Sequence, residues 1–329
     1  MKPEAMDNFF PKNMILKPII CTLLLILFSL VTPALSADRS VIAPLATRSL
    51  LLDLEQVDNA LIAVGERGHL LISEDNGNNW SQVQVPTRST LTGVFFLDRQ
   101  QGWVVGHDQV ILRTQDGGKT WALVYENIEA ESPLFDIYFL DAQHGYAIGA
   151  YGQFLESFDG GENWEGRWIS EDDFHLNQIV PAGEQLFIAA EAGTVYRSDD
   201  QGENWITLAP DYEGSFFGIL PLGNNSLLLF GLRGHLFRSD DGGETWSQIE
   251  TATEASLTNG LLLNDGTLIV TGLAGAILIS QDHGNSFSLT QEPKRKGFSR
   301  LQQTTAGDIF AVGDFGVTLL SLSSIGIKE

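Results

Sequence analysis

A chain of 329 residues with 42 Asp and Glu against 19 Lys and Arg carries a formal charge of −23 at pH 7. Such a charge repels nucleic acid and anionic headgroups, which excludes DNA, RNA and direct lipid-surface binding as main roles. The single cysteine, Cys21, permits no internal disulfide, so stability must come from packing.

At the N-terminus, Lys12 and Lys17 precede an apolar run from Ile19 to Val31, followed by Pro33 and the small-residue site Ala34-Leu35-Ser36-Ala37. This reads as a secretory signal peptide over residues 1–37, cleaved near Ala37, with Met14 as an internal candidate start. The apolar run is shorter than the roughly 20 residues needed to span a bilayer, so a retained anchor is the lesser reading. Cys21 lacks the small residues that precede a lipidated cysteine. Export to an oxidising compartment is therefore expected. Loss of the leader, with three Lys against Glu4 and Asp7, leaves a cysteine-free chain of charge near −24.

From residue 38 to 329 one phrase sets the architecture. Ser/Thr-x-Asp-x-Gly-x-x-Trp/Phe starts at Ser73, Thr114, Ser157, Ser198, Ser239 and Ser280, in steps of 41, 43, 41, 41 and 41 residues. Gly65, Gly106, Gly149, Gly231, Gly272 and Gly313 keep the same beat, with Ala190 at the remaining place. A second glycine follows three residues later at Gly68, Gly152, Gly193, Gly234, Gly275 and Gly316. A period in this range marks an array of units that cannot bury their own apolar faces alone. Within each unit the pattern alternates with period two, as in Val94-Phe95-Phe96-Leu97 and Val110-Ile111-Leu112, which predicts four short strands. The reading is all-β, a seven-bladed propeller forming one domain, with units beginning near residues 50, 91, 134, 176, 216, 257 and 298.

The seventh unit shows three strands, in Phe298 to Gln303, Ile309 to Gly313 and Val317 to Ser321. The segment from about 40 to 47 is expected to supply its fourth strand and close the ring, with Pro44 tolerated on an outer edge. The repeated phrase is expected in the hairpin between third and fourth strands, where Asp75, Asp116, Asp159, Asp200, Asp241 and Asp282 accept bonds from the turn's own backbone. Trp80, Trp121, Trp164, Trp205, Trp246 and Phe287 are expected to pack between blades, so these motifs read as structural.

The hairpins resemble the Asp-box, or BNR, repeat of sialidases, some endoglucanases and sortilin-type receptors. The longer units GLRGHLFRSDDGGETW (Gly231 to Trp246) and GAYGQFLESFDGGENW (Gly149 to Trp164) look most like the photosystem II stability/assembly factor family and its non-photosynthetic bacterial relatives. This resemblance covers about Leu50 to Ser321. It implies a non-enzymatic exported propeller that assists assembly of a membrane complex from the lumenal or periplasmic side, bearing an arginine patch. Arg113, Arg197 and Arg238 stand just before a box, whereas Ile72, Glu156 and Ile279 occupy the matching places, so that patch is incomplete here.

An active site is not legible. A sialidase needs an Arg-Ile-Pro element, and none occurs. Other glycosidases need two carboxylates at set separations. Glu129 with Glu131, Asp172 with Asp173, and Asp211 with Glu213 are candidate pairs that read as acidic connectors. The six histidines, at 69, 107, 144, 175, 235 and 283, show no metal-ligand spacing. The expectation is a monomeric, non-enzymatic protein without metal or cofactor that docks a protein partner, with a glycan-binding or glycan-cleaving propeller as the alternative.

Docking should fall on the face that holds the strand-two to strand-three turns and the connectors between blades. The connectors after blades two to five are acidic, with Glu126, Glu171, Glu250 and Glu254 beside the pairs above, whereas the connector after blade six is Lys294-Arg295-Lys296, followed by Arg300. Arg67 and Arg233 lie in turns, and Arg88 in the first connector. Lys294, Arg295, Lys296, Arg88 and Arg67 are expected to form a basic sector, with Tyr151, Trp168, Phe174, Tyr212, Phe216, Phe217 and Phe315 as possible aromatic anchors.

Overall fold

The computed structural model describes residues 39–321; the leader, its Cys21 and the cleavage site at Ala37 lie outside the described residues. Seven antiparallel sheets follow one another along the chain. Their first strands are Leu51–Val57, Leu91–Phe96, Leu134–Phe139, Leu176–Ala182, Phe216–Gly223, Leu257–Leu262 and Phe298–Gln303. Each first strand packs against the first strand of the next blade, and Leu51–Val57 packs against Phe298–Gln303, so the seven sheets form a ring. Blades one to six have four strands, and the only helical segments described are single 3-10 turns.

The core is divided among seven seams. Each apolar cluster draws its residues from two neighbouring blades, as Ile62, Leu70 and Ile72 of blade one meet Val94, Phe96 and Val104 of blade two. The box aromatic belongs to the later blade and lies on the seam with the earlier one. Trp121 and Trp164 lie edge-on to Phe96 and Phe139 of their own blades at 5.9 and 5.8 Å, while Trp205 meets Phe154 of the preceding blade at 5.9 Å and Trp80 meets Phe310 across the closing seam at 6.3 Å. Trp246 and Phe287 occupy the same place in blades five and six.

Hydrogen bonds inside the box hold each aromatic in place. In blade three the Gly161 N–H donates to Ser157 Oγ at 2.8 Å, the Asn163 N–H donates to Asp159 Oδ1 at 2.9 Å, and Trp164 Nε1 donates to the Gly161 carbonyl at 3.2 Å. The side-chain and main-chain bonds from Asn163 hold the Asp159 carboxyl down to about 2. Asp75, Asp116, Asp200, Asp241 and Asp282 accept the corresponding backbone bond.

Residues 40–47 do not form the fourth strand of blade seven. Among the described residues that sheet has three strands, Phe298–Gln303, Ile309–Gly313 and Gly316–Leu320. The segment instead lies along blade one. The Ser40 N–H donates to the Val85 carbonyl at 2.9 Å, the Ala43 N–H donates to Gln82 Oε1 at 2.7 Å, and Gln84 Nε2 donates to the Ser40 carbonyl at 2.9 Å. Pro44 has no N–H to continue a ladder and restricts the residue before it, and the chain turns there into the 3-10 turn Ala46–Arg48. Ala46 is thereby buried with Leu51 of blade one and Phe310 and Val312 of blade seven. Gly316, at φ +83°, is required where that turn approaches, because a Cβ there would strike the Thr47 carbonyl. The segment does close the seam between blades seven and one, by packing instead of by strand pairing.

A polar ring lines the axis. Each first strand has a bulge at the same place, followed directly by Asp53, Gly93, Asp136, Gln178, Gly218, Asn259 and Arg300. Side chains there reach the next blade: the Val94 N–H donates to Asp53 at 2.8 Å, the Ile179 N–H to Asp136 at 2.9 Å, the Ile219 N–H to Gln178 at 2.9 Å and the Leu301 N–H to Asn259 at 2.9 Å. Arg300 Nε lies 3.3 Å from Asp53 Oδ1 and completes the closure.

Two carboxyls near the axis resist ionisation. Burial, with Asp53 adding repulsion, pushes Asp136 up to about 7 against the pull of its backbone bonds and Arg300. Burial likewise pushes Glu55 up to about 8, with Arg300 opposing and Asp53 and Asp136 reinforcing. Glu55 keeps some accessible surface, but protein surrounds it. Five of the six equivalent places hold Phe95, Tyr138, Val180, Leu220 and Leu261, and the sixth holds Gln302.

Two measurements check this account of the frame. Trp164→Ala should cost about 3 to 5 kcal/mol in urea unfolding, since it opens a cavity in one seam; a loss below about 1 kcal/mol would contradict the seam assignment. For Glu55 the folded value lies above the unfolded one near 4.5. The native state therefore holds a proton that the unfolded state loses, and stability falls as pH rises from the unfolded value to the folded one. Glu55→Gln should gain stability relative to the parent between pH 4.5 and about 8, and a pH-independent difference would contradict the buried carboxyl.

Candidate functional site

The Gly-x-x-Gly turns place their second residue in left-handed geometry, with φ of 56° at Arg67, 55° at Tyr151 and 56° at Arg233. The first glycine serves close approach: a Cβ at Gly65 would strike the Leu50 carbonyl. These turns and the connectors share one face, since turn residue Arg67 and connector residue Arg88 line the same cavity.

The cations of the chain fall into distinct groups. Fifteen Lys and Arg lie among the described residues. Four hold the box side of the ring, in pairs Arg113–Glu162, Arg167–Glu156, Arg197–Glu244 and Arg238–Asp240, and on the same side Arg99 and Lys119 make exposed pairs with Asp58 and Glu74. Arg300 belongs to the axis. Arg233 lies on blade five beside Glu250 and Glu254. The remaining seven, Arg39, Arg48, Arg67, Arg88, Lys294, Arg295 and Lys296, surround the junction of blades six, seven and one. Among the described residues Arg48, Arg67, Lys294, Arg295 and Lys296 make none of the ion pairs that hold the other groups.

Two cavities open at this junction. One, of about 670 Å³, is lined by Val41, Pro44, Leu45, Arg67, His69 and Arg88. Arg88 Nε donates to the Arg39 carbonyl at 3.2 Å and so ties the connector to the N-terminal segment. The other, of about 530 Å³, is lined by Arg48, Lys294, Lys296, Phe315, Val317 and Leu319. Leu45 and Leu319 are 62% and 56% exposed, which puts apolar contact surface beside the cations.

This arrangement redraws the sector read from sequence. Arg67 and Arg88 come together, as do Lys294 and Lys296, while Arg295, at φ 55°, turns within the same connector. Arg300 leaves the surface for the axis, because the bulged strand directs it toward Asp53. Arg233 sits in acidic surroundings away from the junction. Of the aromatic candidates, Phe216 is buried core, Phe315 lines the second cavity, and Tyr151 and Trp168 are exposed on blade three. Arg48 and the apolar residues Leu45 and Leu319 were not singled out from sequence; the lack of a fourth strand in blade seven is the signal that pointed to them.

Arg113 pairs with Glu162 at 3.3 Å, whereas Arg197 and Arg238 are latches. Arg197 donates to the Gly242 carbonyl at 3.0 Å and to Glu244 at 2.7 Å, and Arg238 donates to the His283 carbonyl. The acidic candidate pairs, Glu129 with Glu131, Asp172 with Asp173, and Asp211 with Glu213, are all exposed on connectors. Among the described residues no group of three or more His, Cys, Asp or Glu is placed to hold a metal ion.

A seven-bladed Asp-box propeller with an accessible cationic junction is thus the class that fold and site define. A family model described as Photosynthesis system II assembly factor YCF48 matches residues 72–130 and 122–269, more than half of the chain, and the chain belongs to this family. It is 43% identical over 44 residues, 13% of this chain and 13% of the relative, to the photosystem II assembly protein Ycf48 of Thermosynechococcus vestitus. It is 41% identical over 58 residues, 17% of this chain and 13% of the relative, to the chloroplastic photosystem II stability/assembly factor HCF136 of Cyanidioschyzon merolae. These matches therefore span only 13% of each relative's length. A solved structure described as YCF48 bound to D1 peptide shares the fold, with a TM-score of 0.69 over 86% of this chain and 95% of that one at 19% identity.

The latch and junction groups should separate by mutation. Arg197→Ala removes charge-assisted bonds at a nearly buried site and should cost about 2 kcal/mol. Arg67→Ala should stay within about 0.5 kcal/mol. Equal losses in urea unfolding would contradict the division.

Proposed function

We propose that this protein is a non-catalytic, exported assembly factor that binds an acidic, partly apolar segment of a membrane-complex subunit across the junction of blades six, seven and one. The observation that carries this reading is the partition of cations: in a chain of charge −23, cations elsewhere are mostly committed to latches or the axis, while a group at the junction stands beside exposed apolar side chains. Charge of this kind sets orientation and association rate, and the apolar residues provide contact area.

Family membership supports the assembly role. The fold neighbour YCF48 was captured with a D1 peptide, which makes a segment of a photosystem II subunit the first candidate partner here, with a subunit of another envelope complex as the alternative. The partner is met on the periplasmic or lumenal side, and the protein acts as a monomer. The exposed positions of the candidate carboxylate pairs favour a binding protein over a glycosidase.

The test is cross-linking of the tagged mature protein in native membrane extract, beside one variant with Lys294, Arg295 and Lys296 changed to Glu and another with Arg67 and Arg88 changed to Glu. The parent should recover one membrane complex, and each variant should lose about tenfold or more of it. Equal recovery by all three would overturn the docking site. Binding on a glycan array without a protein partner would favour a glycan-binding propeller.

A further inference from the structure

On the opposite, box-bearing face, the carbonyl of the fourth box residue is a repeated acceptor. Four boxes receive a donor there from the preceding blade: Trp103 Nε1 to Gly160 at 3.1 Å, Tyr146 OH to Gln201 at 2.7 Å, Arg197 to Gly242 at 3.0 Å, and Arg238 to His283. In the two arginine latches an acid two residues on steadies the guanidinium, Asp199 at 3.2 Å from Arg197 and Asp240 at 2.6 Å from Arg238. Among the described residues box one has no such donor, but there the ring of Phe310 lies against Gly77.

Box two differs. The places that hold Trp103 or Tyr146 and Arg197 or Arg238 elsewhere are Ile62 and Ile72 in blade one. Neither can donate, and among the described residues the Gly117 carbonyl receives no side-chain donor. A cleft of about 600 Å³ opens there, with Ile62, Ile72 and Phe96 as apolar wall and Glu74 and Gly117 as polar lining. Glu74 follows Ile72 by two residues, as Asp199 follows Arg197, so the acid and carbonyl of a latch are present without its arginine. Lys119 lies 3.9 Å from Glu74, with both side chains about 70% exposed, a contact of little strength. Arg99, also in the lining, makes a similarly exposed pair with Asp58 at 3.4 Å.

We propose that this cleft receives an arginine side chain from a partner protein, at a surface separate from the cationic junction and independent of the function argued for it. The methylene stem lies on Ile62, Ile72 and Phe96, and the guanidinium donates to the Gly117 carbonyl and to Glu74, displacing Lys119. A planar fork satisfies both acceptors, which a lysine ammonium cannot do with the same geometry. The strongly negative chain favours approach of a cationic segment.

The test is a titration of isotope-labelled protein with acetyl-Gly-Arg-Gly-amide and, separately, acetyl-Gly-Lys-Gly-amide, following backbone amide shifts. The arginine peptide should give saturable shifts at Glu74, Gly117 and Lys119 at up to about 10 mM, the range expected for a single side chain. The lysine peptide should bind about tenfold more weakly. Ile72→Arg, which supplies the missing latch within the chain, should abolish the response, and Glu74→Gln, at an exposed position, should weaken it about tenfold. Absence of shifts at these residues, equal response to the lysine peptide, or a full response in folded Ile72→Arg would overturn the proposal. If Ile72→Arg does not fold, an undiminished response in Glu74→Gln would overturn it.

Discussion

No blade of this protein can cover its own two apolar faces, and everything else in the structure follows from that. A four-stranded sheet of this length gains stability only when both faces meet neighbours, so seven blades need seven seams. The box delivers one aromatic to each of six seams, locked by bonds such as Trp164 Nε1 to the Gly161 carbonyl at 3.2 Å. Only the seam between blades six and seven lacks one, because blade seven has no box. The seam between blades seven and one carries a further burden, since there the chain must close on itself. Trp80 on Phe310, Ala46 buried from the N-terminal turn and Arg300 on Asp53 share that work.

The same constraint determines which cations remain for the docking proposed at the junction. Cations recruited to seams and axis are spent on structure: Arg197 on Gly242, Arg238 on His283, Arg300 on Asp53. At the closing junction blade seven has three strands among the described residues, and the N-terminal segment turns away at Pro44. Connectors and chain segment there leave cavities flanked by Arg48, Arg67, Arg88, Lys294 and Lys296. The place where the repeat is least regular is thus also where charge is least committed, consistent with binding grafted onto an invariant frame.

Much of the frame was legible because it repeats. The period, the paired glycines and the box aromatics each depend on local geometry that recurs from blade to blade. What escaped depends on the neighbouring blade. Arg113, Arg197 and Arg238 resemble a surface patch in sequence, and only the position of the next box pairs Arg113 with Glu162 and makes Arg197 and Arg238 latches. Arg300 follows a basic run, yet a bulge turns it to the axis. The axial ring keeps the repeat spacing, but its residues run Asp, Gly, Asp, Gln, Gly, Asn, Arg, without a shared chemistry to announce them. Residues 40–47 carry the composition of a strand, and side-chain amides of Gln82 and Gln84 outcompete the expected ladder.

Hydrogen exchange of the protein, alone and together with whatever complex the cross-linking recovers, tests the central claim most directly, because it reports the contact surface without altering it. Protection on binding should concentrate in residues 40–48, 66–69, 292–297 and 315–320, with the connectors of blades three and four unchanged. Protection confined to the connectors of blades three and four, leaving the junction of blades six, seven and one exchanging as in the free protein, would contradict the account.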